Sequence, residues 1–294
     1  MALGARHVYT VNLERQMATA NAATAPVSTV STLGRLLRQW RKVRSLSQLE
    51  LALATGISSK HLSFVETGRA QPGRDVVLRL ASTLDLPLRD RNAALMAAGY
   101  APMYGQGRLD APEMGPVARA VEFMLRQQEP YPVVVADRFA NVLRRNQATE
   151  RLLAYLLGPE AGQGECTNLY RLVLSPTGLR PMILNWPEVA RLVVVRVRRE
   201  LSAMPSSRDD HGFLEELLSL PGLPEECHSA TPEASAPPVV PTIIEKDGRI
   251  ISLFHTITTL GTPQDVTLQE LRIESSFPAD AETEAFLRGL SAAR

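Results

Sequence analysis

Ser58, Ser59, Lys60 and Ser63 fall within six residues and gather three hydroxyls and one ammonium, groups suited to hydrogen-bonding base edges and phosphates. His61 and Phe64 are interleaved with them, and the Phe64 ring either touches a thymine methyl or packs locally. Gln48, Arg69, Arg38 and Arg41 stand nearby, and residues 33–102 hold eleven Lys/Arg against five Asp/Glu, a net +6. The whole chain of 294 residues is only +1, so residues 103–294 carry −6. A basic module and an acidic one therefore share one chain, as expected when one half meets phosphates and the other does not.

Catalytic chemistry finds no comparable cluster. The sequence holds no GxSxG, GxxxxGK[ST], HExxH or GxGxxG. His7, His61, His211, His228 and His255 are scattered, and Cys166 and Cys227 form no CxxC, which reads as two reduced thiols. The adjacent Cys227-His228 pair reads as chance rather than a metal site. Asp265, Glu270 and Glu274 fall on an expected strand, where solvation is the default. The expectation is a protein that is not an enzyme and needs no cofactor or metal.

The polar cluster needs two short helices to position it. Ser47 and Glu50 make a Ser-x-x-Glu capping box that starts one helix, and Gly56 ends it in the left-handed conformation that costs glycine nothing. Ser58 caps the next, with Ile57 placed to staple against Leu62. Leu62 and Val65 share the inner face of that helix, which ends near Gly68, so Ser59, Lys60 and Ser63 look outward. A short helix of small polar and basic residues suits the major groove. Upstream, Thr32 opens a helix with Leu33, Leu36, Leu37 and Trp40 on one face and Arg35, Arg38, Arg41, Lys42 and Arg44 elsewhere, a basic surface for phosphates. Downstream, Val77 to Leu84 and Leu88 to Ala98 give two more helices, completing five between 32 and 100.

Two strings make this module resemble the XRE-type helix-turn-helix of bacterial and phage repressors: Ser47-Gln48, and Glu66-Thr67-Gly68 running to Pro72. The resemblance implies that Gln48 and its helix-start amide grip a phosphate, that Ser59, Lys60 and Ser63 face base edges, and that a homodimer binds a double-stranded operator.

Residues 1–31, rich in Ala and Thr, read as a disordered tail, with Met17 as an alternative start. No apolar run approaches the ~18 residues of a membrane helix, and residues 19–31 lack the apolar core of a secretory signal, so the expected location is the cytoplasm, away from membranes. Residues 101–112 read as a linker between Gly- and Pro-containing ends. From 113 to 294 the pattern is α+β: a helix over 113–128, strands at PVVVAD and NVLRR, and a helix capped by Asn146. Helices follow near 168–174, 186–203 and 212–220, then a surface loop over 221–238. VVPTIIEK and RIISLFHTIT make a hairpin about Asp247-Gly248, VTLQELRIESSF reads as the last strand, and a short helix starts at Asp280. Together these predict an antiparallel sheet of about five strands with helices crossing one face.

This second domain resembles a PAS domain, and the strings YPVVVADRFANVLRRNQATERLL, NLYRLVLSPTGLRPMILNW and GTPQDVTLQELRIESSFPAD resemble the MmyB-like ligand-binding domain. The pattern departs at 219–238, where an expected Trp-containing segment is replaced by LPGLPEECHSATPEASAPP. The resemblance implies a small apolar or amphiphilic ligand, fatty-acid-like, between sheet and helices. Asn168, Arg171, Asn185 and Trp186, with Phe254, Thr256 and Phe277 from the strands, are the candidate contacts. The alternative is a ligand-free platform for dimerisation or protein interaction.

Overall fold

The computed structural model describes residues 29–160, 168–202, 208–229 and 239–292. Met17, Cys166, nearly all of the expected tail and the second half of the 221–238 loop lie outside them.

Helix α1, Thr29–Val43, begins three residues before Thr32, which therefore lies inside the helix instead of opening it. It is followed by α2 (Gln48–Thr55), α3 (Ser59–Glu66), α4 (Arg74–Thr83) and α5 (Leu88–Ala97). Leu33, Leu37 and Trp40 of α1 are fully buried against Leu62 and Val65 of α3, Leu80 of α4 and Leu95 of α5. Truncating a buried tryptophan such as Trp40 costs about 3–5 kcal/mol, so this one face holds the module together. Close approach matters as well. A Cβ on Gly34 would collide with the Glu66 carbonyl oxygen, so only glycine lets α1 meet the end of α3.

Residues 101–112, the expected linker, are held by contacts to both modules. Asn92 of α5 is buried and accepts from the amides of Met103 and Tyr104 at 2.9 and 3.0 Å while donating to the Tyr104 carbonyl at 2.8 Å. The segment then pairs with the second domain through a bridge between Gly105 and Asp265, and it buries Leu109.

The second domain opens with α6 (Gly115–Gln127), β1 (Val133–Ala136) and β2 (Val142–Arg145), then α7 (Gln147–Leu157), α8 (Leu169–Leu174), α9 (Trp186–Ser202) and α10 (Arg208–Leu218). A short helix, α11 (Glu225–Ser229), stands where a loop was expected, because Cys227 is fully buried among Leu174, Val194 and Leu217. β3 (Thr242–Lys246) and β4 (Arg249–Thr258) form the expected hairpin, Asp247 and Gly248 both having positive φ. α12 (Val266–Glu270), β5 (Arg272–Pro278) and α13 (Ala281–Ala292) complete the chain.

The expected strand over 266–277 is thus half helix. Asp265 Oδ1 accepts from the amides of Thr267 at 2.8 Å and Leu268 at 3.3 Å, an N-cap that commits Val266–Glu270 to a helical turn before the strand begins. The sheet is antiparallel with order β2-β1-β5-β4-β3, the α+β, PAS-like layout. Its helices do not keep to one face. α6 packs Val121 and Leu125 on Val133, Val135 and Ile273, while α7, α8 and the α9 start cover the opposite side. β1 is therefore buried on both faces and reads as an unbroken apolar run.

Candidate functional site

The basic module presents α3 as its polar ridge. Ser58 caps the helix, accepting from the His61 amide at 3.1 Å, and Ser59 and Lys60 are exposed beside it. Ser63, His61 and Phe64 are half-buried, and the Lys60 ammonium lies 5.8 Å from the Phe64 ring centre, so Phe64 packs on the stem of the same ridge. Leu62 and Val65 are buried, which is why the ridge faces outward. Arg69 is exposed past the end of the helix.

Behind the ridge lies a buried ion cluster that sequence reasoning missed. The Glu66 side chain is inaccessible to solvent, and Arg41 donates to both its oxygens, Nε to Oε1 at 2.7 Å and Nη2 to Oε2 at 3.0 Å. Gln48 Nε2 donates to Oε2 at 2.7 Å, and Arg38 stands 3.6 Å away while reaching the Glu66 carbonyl. Burial alone would raise the Glu66 pKa. The bonds from Arg41 and Gln48 outweigh it and hold the carboxyl below its usual range. Arg41 and Gln48 are thus committed to tying α1 and α2 to α3, with Arg41 only 13% exposed, whereas Arg38 keeps a solvent-facing guanidinium. The signal was present in the Glu66 of the Glu-x-Gly string, adjacent to buried Val65 on a helix whose partner face is arginine-rich.

In the acidic module the principal cavity lies between the sheet and α7–α8. Its empty volume, mouth included, is about 830 Å³, and aliphatic side chains such as Leu152, Leu156, Leu172 and Ile244 make most of its wall. Polar groups enter from the strands: Arg145, Thr242, His255, Glu274 and Ser276. His255 is accessible to solvent, yet protein surrounds it closely. Its open surface is the cavity wall, and burial lowers its pKa, with Arg196 adding to that effect and Glu274 opposing it.

None of the seven residues expected to contact ligand lines this cavity. Phe254, Thr256 and Phe277 belong to the other face of the sheet, where Phe254 and Phe277 stack at 5.4 Å; one step along each strand, His255 and Ser276 point inward. Asn168 is buried as the cap of α8 and donates to the Phe139 carbonyl at 2.7 Å. Arg171 makes an exposed bidentate pair with Glu216. Asn185 ties the start of α9 to β3, accepting from the Ile243 amide at 3.0 Å and donating to the Pro241 carbonyl at 2.8 Å. Trp186 is half-buried under the Arg180 guanidinium, 5.0 Å from its ring centre. All four lie outside the cavity lining and tie neighbouring segments together.

The three acidic residues expected to be solvated are each engaged. Glu274 accepts from Arg196 Nη1 at 3.0 Å. Glu270 forms a bidentate pair with Arg89 of α5, at 2.6 and 2.7 Å, and Gln269 accepts from the Leu88 amide at 2.7 Å. Asp265 takes the Gly107 amide on Oδ2 at 3.2 Å while capping α12, and the Val266 amide donates to the Gly105 carbonyl at 2.8 Å. α12 therefore clasps both α5 and the connecting segment, and the strand leaving it, β5, carries Glu274 and Ser276 into the cavity wall.

Comparison with known proteins matches both halves of the chain. The family described as "MmyB-like transcription regulator ligand binding domain" matches residues 117–290, and "Helix-turn-helix domain" matches 32–94. The ImmF control region 10 kDa protein of Bacillus phage phi105 is 39% identical over 56 residues, which is 19% of this chain and 62% of that protein. The chain thus spans less than two thirds of that curated relative. Among solved structures, the restriction-modification controller protein C.AhdI from Aeromonas hydrophila is 31% identical, with 21% of this chain and 94% of that one covered at a TM-score of 0.21. An RNA-binding Light-Oxygen-Voltage receptor is 13% identical, with 96% and 66% covered at 0.24.

Proposed function

Because the chain belongs to the helix-turn-helix transcription regulators that carry an MmyB-like ligand-binding domain, we propose that it binds a pseudo-palindromic DNA operator as a homodimer, in the cytoplasm and without catalysis, under control of a small apolar or amphiphilic, fatty-acid-like ligand. Two copies of α3 would enter major grooves about 34 Å apart, with Ser58, Ser59, Lys60 and Ser63 toward base edges and Arg38 and Arg69 toward phosphates. Arg41 and Gln48 hold the helix in place through Glu66 and contribute to affinity by that route.

The observation that carries the regulatory half of this reading is the continuity of β5. Glu270, which pairs with Arg89 of the DNA-binding module, stands four positions before Glu274 in the cavity wall. A ligand that displaces β5 would move α12, and α12 holds the N-terminus of α5. The test is selection of binding sites from randomised duplex DNA with the full chain, followed by anisotropy titration of the selected site. Enrichment of a symmetric site bound at least about 10³-fold more tightly than bulk DNA supports the reading. Failure to enrich any sequence contradicts it.

One observation favours a further use of the same domain. Phe123 and Met124 of α6 are 55% and 38% exposed, beside the sheet face that bears Phe254 and Thr256. This apolar surface suits the contact between protomers that a two-fold operator requires.

A further inference from the structure

Three neighbouring strands each place one uncharged hydrogen-bonding side chain on the cavity wall: Thr242 from β3, His255 from β4 and Ser276 from β5. Their polar atoms form a single chain. Thr242 Oγ1 lies 3.2 Å from His255 Nε2, and Nδ1 lies 3.0 Å from Ser276 Oγ. A neutral imidazole between two hydroxyls can be crossed in either direction. In one, Thr242 donates to Nε2 and the Nδ1 proton goes to Ser276, whose own hydroxyl proton remains free. In the other, Ser276 donates to Nδ1, the Nε2 proton goes to Thr242, and the Thr242 proton remains free. Either way the wall offers a donor, with hydroxyl lone pairs beside it as acceptors.

The surrounding charges decide what this chain can accept. The Arg196 guanidinium pairs with Glu274 at 3.0 Å and with Glu200 at 3.6 Å and is not part of the cavity lining, whereas Glu274 stands on the cavity face two residues from Ser276. Arg145 also lines the cavity, but from β2, three strand spacings or about 14 Å of sheet from β4, and it lies 3.4 Å from Glu150. An anion seated at His255 would therefore face a carboxylate and a neutral ring and would lose its hydration. An alcohol, a primary amide or an un-ionised acid would gain both a donor and an acceptor.

We propose that the cavity takes a single-chain amphiphile through an uncharged hydrogen-bonding head group bound at Thr242, His255 and Ser276, its alkyl chain lying along the leucines of α7 and α8. The assignment rests on the reading of the cavity as the ligand site. Calorimetric titration of the delipidated full chain at pH 8 with 1-decanol and with decanoate, fully ionised there, tests it. Decanol should bind at least about tenfold more tightly than decanoate, the equivalent of ~1.4 kcal/mol. His255→Phe should abolish that preference, and Ser276→Ala, which removes a single oxygen and leaves the packing intact, should narrow it. Decanoate binding as tightly as decanol, or a preference unchanged in the Ser276→Ala protein, overturns the head-group assignment while leaving the cavity as a ligand site. Failure of both probes to bind the wild-type chain removes the cavity reading, and this assignment with it.

Discussion

Lys60 and Glu66 are six positions apart on one short helix and have opposite tasks. Lys60 is exposed on the outer ridge, so Lys60→Ala should leave stability unchanged and lower affinity for the selected operator by about 1–3 kcal/mol if the ammonium reads a base. Anisotropy titrations against operator and scrambled duplex separate the roles, since an equal loss on both marks a phosphate contact. Glu66 acts inward. Its carboxylate is inaccessible though only just beneath the surface, and removing it would strand Arg41, so Glu66→Ala should cost about 3 kcal/mol of stability, readable by chemical denaturation. The pH dependence has a definite sign. A carboxyl with a folded-state pKa below its unfolded value stabilises fully above the ordinary glutamate range, near ~4.3, and loses that contribution as pH falls through the folded value. The Tm gap between wild type and Glu66→Gln should therefore be widest near neutrality and shrink below about pH 4. A gap that is constant with pH would show that the charge is not what stabilises.

At the scale of elements, the helix-turn-helix was legible because its signals are local. Ser47 with Glu50, Gly56 and Ser58 each act within four residues of themselves, and the structure realises the capping box, the left-handed Gly56 and the Ser58 cap at those positions. The cavity was not, because which face of β4 and β5 meets α7 and α8 depends on packing between segments at least 75 residues apart. Period-two alternation alone leaves two choices, and the aromatic residues Phe254 and Phe277 drew the reading to the face opposite this cavity. α12 escaped for a related reason: Val266, Leu268 and Leu271 alternate tolerably as a strand, and only the Asp265 cap tells otherwise. That helix now carries a prediction. Arg89→Ala and Glu270→Ala should each leave operator affinity nearly unchanged in ligand-free protein, and each should reduce the ligand-induced change. The double mutant should do no worse than either single one if the pair acts as a unit. Full ligand response in all three proteins would eliminate the clasp as the route of coupling.

Over the whole molecule, the +6 and −6 halves coincide with the helix-turn-helix module and the MmyB-like ligand-binding module. The charge split, the two-module layout and the antiparallel sheet could be read from composition and periodicity, whereas the ordered passage of residues 101–112 could not. Gly and Pro there signal a break in helix. They do not reveal that Asn92 and Asp265, far apart in sequence, hold the segment from both sides. That ordered passage makes the two modules mechanically continuous, and linkage then demands reciprocity: DNA must alter ligand affinity by the same factor by which ligand alters DNA affinity. The most direct measurement is a gel shift with DNA from upstream of the protein's own and neighbouring genes, using delipidated full-length chain, repeated with the organic extract of the purified protein added back. The expected result is a sequence-specific shift whose midpoint moves when the extract is present. A specific shift that ignores the extract would contradict ligand control, and the absence of any specific shift would contradict operator recognition itself.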